Sequence, residues 1–233
     1  MQLRVQTTTR SAACGPPGHE APSSSADDGL EAVHALGMRR SIERGRQIYG
    51  DGDAADHWFR LLSGTACAVK LRADGRRQIT AFLQPGDYFG FEAAIEYGFA
   101  AEALTDLELI RYPRARTEVL ARTDAGIAHR FREIAHRSLD AAQRRLLMLG
   151  LMSAPERVAS FLLEQFERSA DGQVIHLAMS RADIGDYLGL TLETVSRAIS
   201  VLKRAGLISV PNRRAICILD RDGLEELAEG EAL

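Results

Sequence analysis

The spacing of apolar residues changes twice along the chain, and each change predicts a different kind of element. From about residue 42 to 112 the apolar positions fall in short segments broken by Gly, Asp and Pro. Tyr49-Gly50-Asp51-Gly52-Asp53 leads into HWFRLLSGTACAVKL; the turn Ala73-Asp74-Gly75 follows, and then RQITAFLQPGDYFG. Asp-Gly between alternating segments predicts hairpins, so this region reads as all-β, with further strands around Ala103–Leu109. Within Thr65–Leu71 the alternation puts Cys67, Val69 and Leu71 on one face and makes Cys67 a core residue.

From Asp124 to Ser153 the period lengthens. No Gly or Pro occurs from Ile127 to Leu149. Ile127, Phe131, Ile134, Ser138 and Ala141 step by four and three, and Leu146, Leu149 and Met152 extend the stripe. This predicts one long helix with a coiled-coil-like seam. Such a helix needs a partner for its stripe; the β region supplies part, and the same helix of a second copy is expected to supply the rest.

Ser153-Ala154-Pro155-Glu156 then predicts a hinge and a new helix start. A turn at Asp171-Gly172 and a short strand, VIHLAM, lead to SRADIGDYLGLTLETVSRAISVLKRAGLI. Ser180 and Asp183 form a capping pattern, with Ile184 and Leu188 on the buried face. Gly189 permits a sharp turn that Leu190 plugs, and Thr191 caps a second helix whose Val195, Ile199 and Leu202, with Leu207 after it, face the core. This is the grammar of a helix-turn-helix. Leu207–Val210 and AICIL, joined by the basic turn Pro211-Asn212-Arg213-Arg214, form a wing; in AICIL, Cys217 alternates with Ala215 and Leu219 and is expected in the core. Acidic residues crowd the C-terminal tail.

Composition adds boundaries. The formal net charge of −3 carries no global signal for nucleic acid. Yet residues 180–216 hold six Lys and Arg against three Asp and Glu, so positive charge concentrates on the helix-turn-helix and wing. The second helix presents Glu193, Ser196 and Arg197 from its N-terminal half, where such helices meet base edges of double-stranded DNA. Arginine suits guanine and glutamate the cytosine amino group, and the i, i+4 spacing lets each orient the other. No apolar run is long enough for a membrane helix, no secretory leader is visible, and Cys14, Cys67 and Cys217 are too scattered for a disulfide framework. A reducing cytoplasm is the expected setting. G-x-S-x-G, HExxH and a phosphate loop are absent from the sequence, so an enzyme is not expected.

Glu193-Thr194-Val195-Ser196-Arg197, G-D-x-x-x-H-W-F-x-L-x-S-G and P-G-D-Y-F-G together resemble the Crp/Fnr family of bacterial transcription regulators, and most of all its FixK-type branch, over about residues 45–219. The resemblance implies an α+β chain. A disordered arm (1–28) precedes a cyclic-nucleotide-binding-like β-roll (29–123), a dimerisation helix (124–153), and a winged helix-turn-helix with its tail (154–233). It implies a homodimer that activates transcription by touching RNA polymerase. The E-x-x-S-R pattern accompanies TTGAT half-sites, read by Glu193, Ser196 and Arg197, with Leu192 where the Crp branch has Arg. Ser180, Arg181, Thr191, Thr194, Arg213 and Arg214 are backbone-contact candidates. Ala170, Asp171 and Gly172 fall where the family touches polymerase; Glu96–Phe99 is a second candidate. Ile127, Phe131, Ile134, Ser138, Ala141, Leu146 and Leu149 would form the dimer interface.

The family's usual sensors lack their residues here. Cyclic nucleotide needs a Glu after the roll glycine and an Arg-Ser pair about ten residues on; Gly90 is followed by Phe91, and Ala101 and Glu102 stand at the pair. An iron–sulfur cluster needs about four thiolates. No cofactor is therefore expected, with a ligand-dependent sensor, haem included, or a repressor as the alternatives. Ser180 is also a candidate redox position: a cysteine there would gain acidity from the helix N-terminus and Arg181 and, once oxidised, repel phosphate.

Overall fold

The computed structural model describes residues 29–91, 94–169 and 174–230. The expected N-terminal arm and the turn at Ala170, Asp171 and Gly172 lie outside these. A short helix, α1 (Glu31–His34), precedes a roll of two antiparallel sheets. One sheet runs β1 (Met38–Ile42), β8 (Leu107–Pro113), β3 (His57–Ser63), β6 (Tyr88–Phe89); the other runs β2 (Gln47–Tyr49), β7 (Ala100–Ala103), β4 (Ala66–Leu71), β5 (Arg77–Leu83). Aromatic side chains fill the roll interior. Tyr49 stacks on Tyr97 at 3.8 Å and on Phe59 at 5.4 Å between ring centroids, and Phe59 stacks on Phe89 at 5.2 Å. Leu61, Leu83, Leu107 and Leu109 close the same cluster.

Strand β4 departs from simple alternation. Its pairing with β5 shifts between Ala68 and Val69. Cys67 and Val69 are buried, as expected, but Leu71 at the hairpin end is 64% exposed. Cys67, Val69, Ile79 and Phe82 do not face the roll interior. They share a core with Phe161, Ile184 and Leu188 of the C-terminal half, so the outer face of this sheet is the floor on which the rest of the chain sits.

A helix not foreseen from sequence, α2 (Arg114–Thr123), follows β8, anchored by the Trp58 indole N–H donating to Thr117 Oγ1 at 2.9 Å in a buried site. Asp124 ends it and caps α3 (Ala125–Leu151), accepting from the backbone N–H of Gly126 and Ile127. The long helix is there; the assignment of its faces needs correction. Ile127 and Ile134 are buried in a cluster with Leu30, Val33, Trp58 and Tyr112, and Phe131 packs beside them, edge-on to Trp58. These three are taken up by the roll of their own chain. Leu149 packs against the C-terminal core. Of the expected interface, Ser138, Ala141 and Leu146 remain exposed, and the Ser138 hydroxyl donates to the Ile134 carbonyl. The exposed apolar row runs through Ala135, Leu139 and Ala142, one position on from Ile134, Ser138 and Ala141, and meets the expected stripe at Leu146. The sequence stripe merged two faces because both are apolar.

Ser153 and Glu156 form the expected capping box of α4 (Ala154–Glu167). Then come β9 (Val174–His176), α5 (Arg181–Leu188), α6 (Leu192–Arg204), β10 (Ile208–Asn212) and β11 (Ala215–Ile218), the strands forming one sheet in the order β10-β11-β9. The expected core face of β11 needs correction: Ile216 enters the C-terminal core with Ile218 packed against it, while Cys217 is half-buried and Leu219 exposed, because the other face of the strand lies on the helices. The acidic tail is not loose as far as residue 230. Asp220 caps α7 (Arg221–Ala228), which buries Leu224 and Leu227 against α4; each such side chain contributes roughly 1.5–3 kcal/mol.

Candidate nucleic-acid interface

The helix-turn-helix is set by local chemistry. Ser180 Oγ accepts from the Asp183 N–H at 3.1 Å, and Asp183 Oδ2 accepts from the Ser180 N–H at 2.8 Å and from its hydroxyl at 2.7 Å. At the other end of α5, Gly189 adopts the left-handed conformation (φ 65°, ψ 36°) that stops the helix. The turn closes when the Leu190 N–H donates to the Gly185 carbonyl at 2.9 Å. Gly185 was not singled out from sequence. A Cβ placed there would lie 2.6 Å from the Leu190 carbonyl oxygen, so the close approach of turn to helix requires glycine. The signal for it was present: a glycine inside an otherwise helical pattern.

Thr191 Oγ1 accepts from the Thr194 N–H at 3.2 Å and caps α6. Val195, Ala198, Ile199 and Leu202 bury one face. The opposite face exposes Glu193, Ser196, Arg197 and Ser200, with Leu192 46% exposed beside them. The expected Glu193–Arg197 pairing takes a looser form. Arg197 Nη2 lies 3.4 Å from Thr194 Oγ1, and its charge acts on Glu193 only at a distance. The Glu193 carboxyl is held below the ordinary carboxylate range by hydrogen bonds from its own backbone N–H and from Thr191, with Arg197 adding to them. It is an ionised acceptor at neutral pH, able to accept a hydrogen bond from an amino group outside the helix.

Backbone-contact candidates surround this face unevenly. Arg213 and Arg214 are exposed at the tip of the wing, where Arg214 N–H donates to Asn212 Oδ1 at 2.9 Å and closes the turn. Thr191 is exposed and Thr194 half-buried. Arg181 is also half-buried. Its Nη1 is shielded with no hydrogen-bond partner among the described residues, and burial lowers the guanidinium pKa. The Asp183 carboxylate against the Ser180 hydroxyl opposes the acidity a cysteine at that position would draw from the helix N-terminus. On the roll, Glu96 and Phe99 are exposed while Tyr97 is buried.

Two family models match the chain: a cyclic nucleotide-binding domain over residues 39–124 and a Crp-like helix-turn-helix domain over residues 156–227. The nitrogen fixation regulation protein FixK of Azorhizobium caulinodans is 41% identical over 202 residues, covering 84% of this chain and 82% of that protein. The FixK of Rhizobium meliloti is 39% identical, covering 78% and 83%. The structure of FixK2 from Bradyrhizobium japonicum superposes with a TM-score of 0.80 at 40% identity, covering 82% of this chain and 97% of that one. With a helix-turn-helix whose outer face is charged and exposed, and with relatives of this kind along most of its length, the chain belongs to the Crp/Fnr family of DNA-binding transcription regulators, in its FixK-type branch.

Proposed function

We infer that the protein is a homodimeric transcription activator that binds a TTGAT-N4-ATCAA-like palindrome without a small-molecule effector. The observation that carries this is the α6 surface: Glu193, Ser196 and Arg197 stand exposed together, above a buried opposite face that fixes their orientation. Arg197 reads guanine, Glu193 the amino group of cytosine or adenine on the opposite strand, and Ser196 with Leu192 selects thymine. Thr191, Thr194, Ser180, Arg181, Arg213 and Arg214 are assigned to the phosphates. Dimerisation is assigned to Ala135, Leu139, Ala142 and Leu146 of α3, since a 27-residue helix with an exposed apolar row supports pairing with a second copy. Half-sites about one helical turn apart then suit the two recognition helices.

Independence from an effector is supported by the roll itself. Tyr49, Phe59, Phe89 and Tyr97 occupy its interior, and Glu102, at one of the phosphate-contact positions, is committed to an ion pair with Arg77 at 3.2 Å. Activation is assigned by family resemblance to polymerase contact at Ala170, Asp171 and Gly172. Ser180 is the position where a cysteine would make binding redox-sensitive.

Fluorescence anisotropy with two duplexes, one bearing TTGAT-N4-ATCAA and one bearing TGTGA arms, tests the proposal at fixed salt. Tight ligand-free binding with preference for the first is expected. Equal binding to both, or binding that needs an added nucleotide or metal, rejects it.

A further inference from the structure

Helix α5 receives side-chain donors from the roll, from α3 and from α4. Arg77, the first residue of β5, sends Nη1 to Asp183 Oδ1 and Asp186 Oδ2, both at 2.9 Å, and Nη2 to Glu102 Oε2 at 3.2 Å. Gln78 donates to the Asp186 carbonyl, Arg145 of α3 to the Tyr187 carbonyl, and Arg157 of α4 to the Leu188 carbonyl at 3.0 Å. Three consecutive carbonyls at the negative end of α5 thus receive donors from the roll, the long helix and the hinge helix.

The Arg77 cluster carries charge from the roll to α5, as the Arg168–Asp87 pair does from the roll to the end of α4. The Arg77 side chain is 27% exposed and that of Asp183 19%. Burial alone would lower the Arg77 pKa; the hydrogen bonds to Asp186 and Asp183 outweigh it and raise the value. Cys67 Sγ lies 3.7 Å away, but burial pushes its thiol up to about 12, so no thiolate competes for the guanidinium at neutral pH. Without Arg77, three carboxylates would face one another in a half-buried site, and α5 would be pushed from the sheet. The Asp183 carboxylate is shared: Oδ1 takes the roll's guanidinium while Oδ2 holds Ser180. One carboxylate therefore links the roll to the cap at the start of the helix-turn-helix.

We propose that Arg77 is a positioning residue for DNA recognition, fixing through Asp183 and Asp186 the direction in which α5, and with it α6, leaves the roll. This rests on the palindrome reading above. A dimer must place two recognition helices on two half-sites at once, and the gain from double engagement vanishes when their relative placement is loose. A half-site duplex imposes no such demand.

The test is anisotropy of the full-length Arg77→Gln and Asp186→Asn variants on the palindrome and on a single TTGAT arm, with amide hydrogen exchange of α5 measured without DNA. Arg77→Gln is expected to lose at least about tenfold on the palindrome, to bind the single arm like the wild type, and to exchange faster in α5. Asp186→Asn is expected to change in the same direction by less, because Asp183 still holds the guanidinium. Arg77→Lys, which keeps the charge but loses the fork, is expected to fall between. Unchanged palindrome affinity, or equal losses on both duplexes, overturns the inference. If Arg77→Gln does not fold, Asp186→Asn alone decides it by the same two ratios. A wild-type protein without preference for the palindrome would fail the DNA reading instead, and the exchange of α5 would still report whether Arg77 holds it.

Discussion

Single residues here act where geometry leaves them one option. Gly185 sits under the turn of the helix-turn-helix, with the Leu190 carbonyl where a methyl group would go. Gly185→Ala is expected to destabilise the chain by about 1–3 kcal/mol through overpacking, visible as a lower urea midpoint. An unchanged midpoint would mean that the turn can open at no cost. Capping residues were legible from sequence because their partners are three positions away: Ser180 with Asp183, and Thr191 with Thr194, form as the local pattern dictates. The partners of Arg77 were not legible. Asp183 and Asp186 lie more than a hundred positions along the chain, and no local pattern couples a strand's first residue to a distant helix.

At the scale of elements, the long helix shows what periodicity can and cannot establish. Its existence followed from 3.6-residue spacing and an unbroken run without Gly or Pro. Its contacts did not, because α3 has two apolar faces and one sequence stripe cannot say which neighbour covers which. Ile134 faces the roll and Leu139 does not: the first is 6% exposed, the second 53%. Sedimentation separates the two. Leu139→Arg is expected to shift the protein from dimer to monomer. Ile134→Ala is expected to leave the dimer intact while costing about 2–5 kcal/mol of stability. A monomer from Ile134→Ala with a dimeric Leu139→Arg would restore the face expected from sequence. Helix α7 was missed for a related reason: its two buried leucines are outnumbered by acidic neighbours, and only the core of α4 reveals their role.

The whole molecule is held together across its domain boundary by ionised groups as well as apolar ones. Burial alone would raise the Asp183 pKa, but hydrogen bonds from Ser180 and Arg77 outweigh it and hold the carboxyl below its usual value of 3.8. A depressed folded pKa contributes stability that is complete above the unfolded value and is lost as pH falls through the folded one. The groups that face this carboxylate are Arg77, with Asp186 and Glu102 on the same guanidinium. Exchange protection of α5 is therefore expected to hold from neutral pH down to about 4 and to fall below that, before the roll interior opens. Simultaneous loss in α5 and the roll would show that the boundary has no separate weakness.

The aromatic packing inside the roll bears on how such a protein would be controlled. On the effector-free proposal, a roll filled by its own side chains leaves the chain no messenger to wait for. In the effector-free proposal, the quantity that varies in the cell is the number of copies, and the speed of response is set by synthesis and degradation. Because two copies must meet before a palindrome is held, occupancy at low abundance rises with the square of concentration. A modest change in production then becomes a steeper change in output, a threshold produced by stoichiometry rather than by allostery.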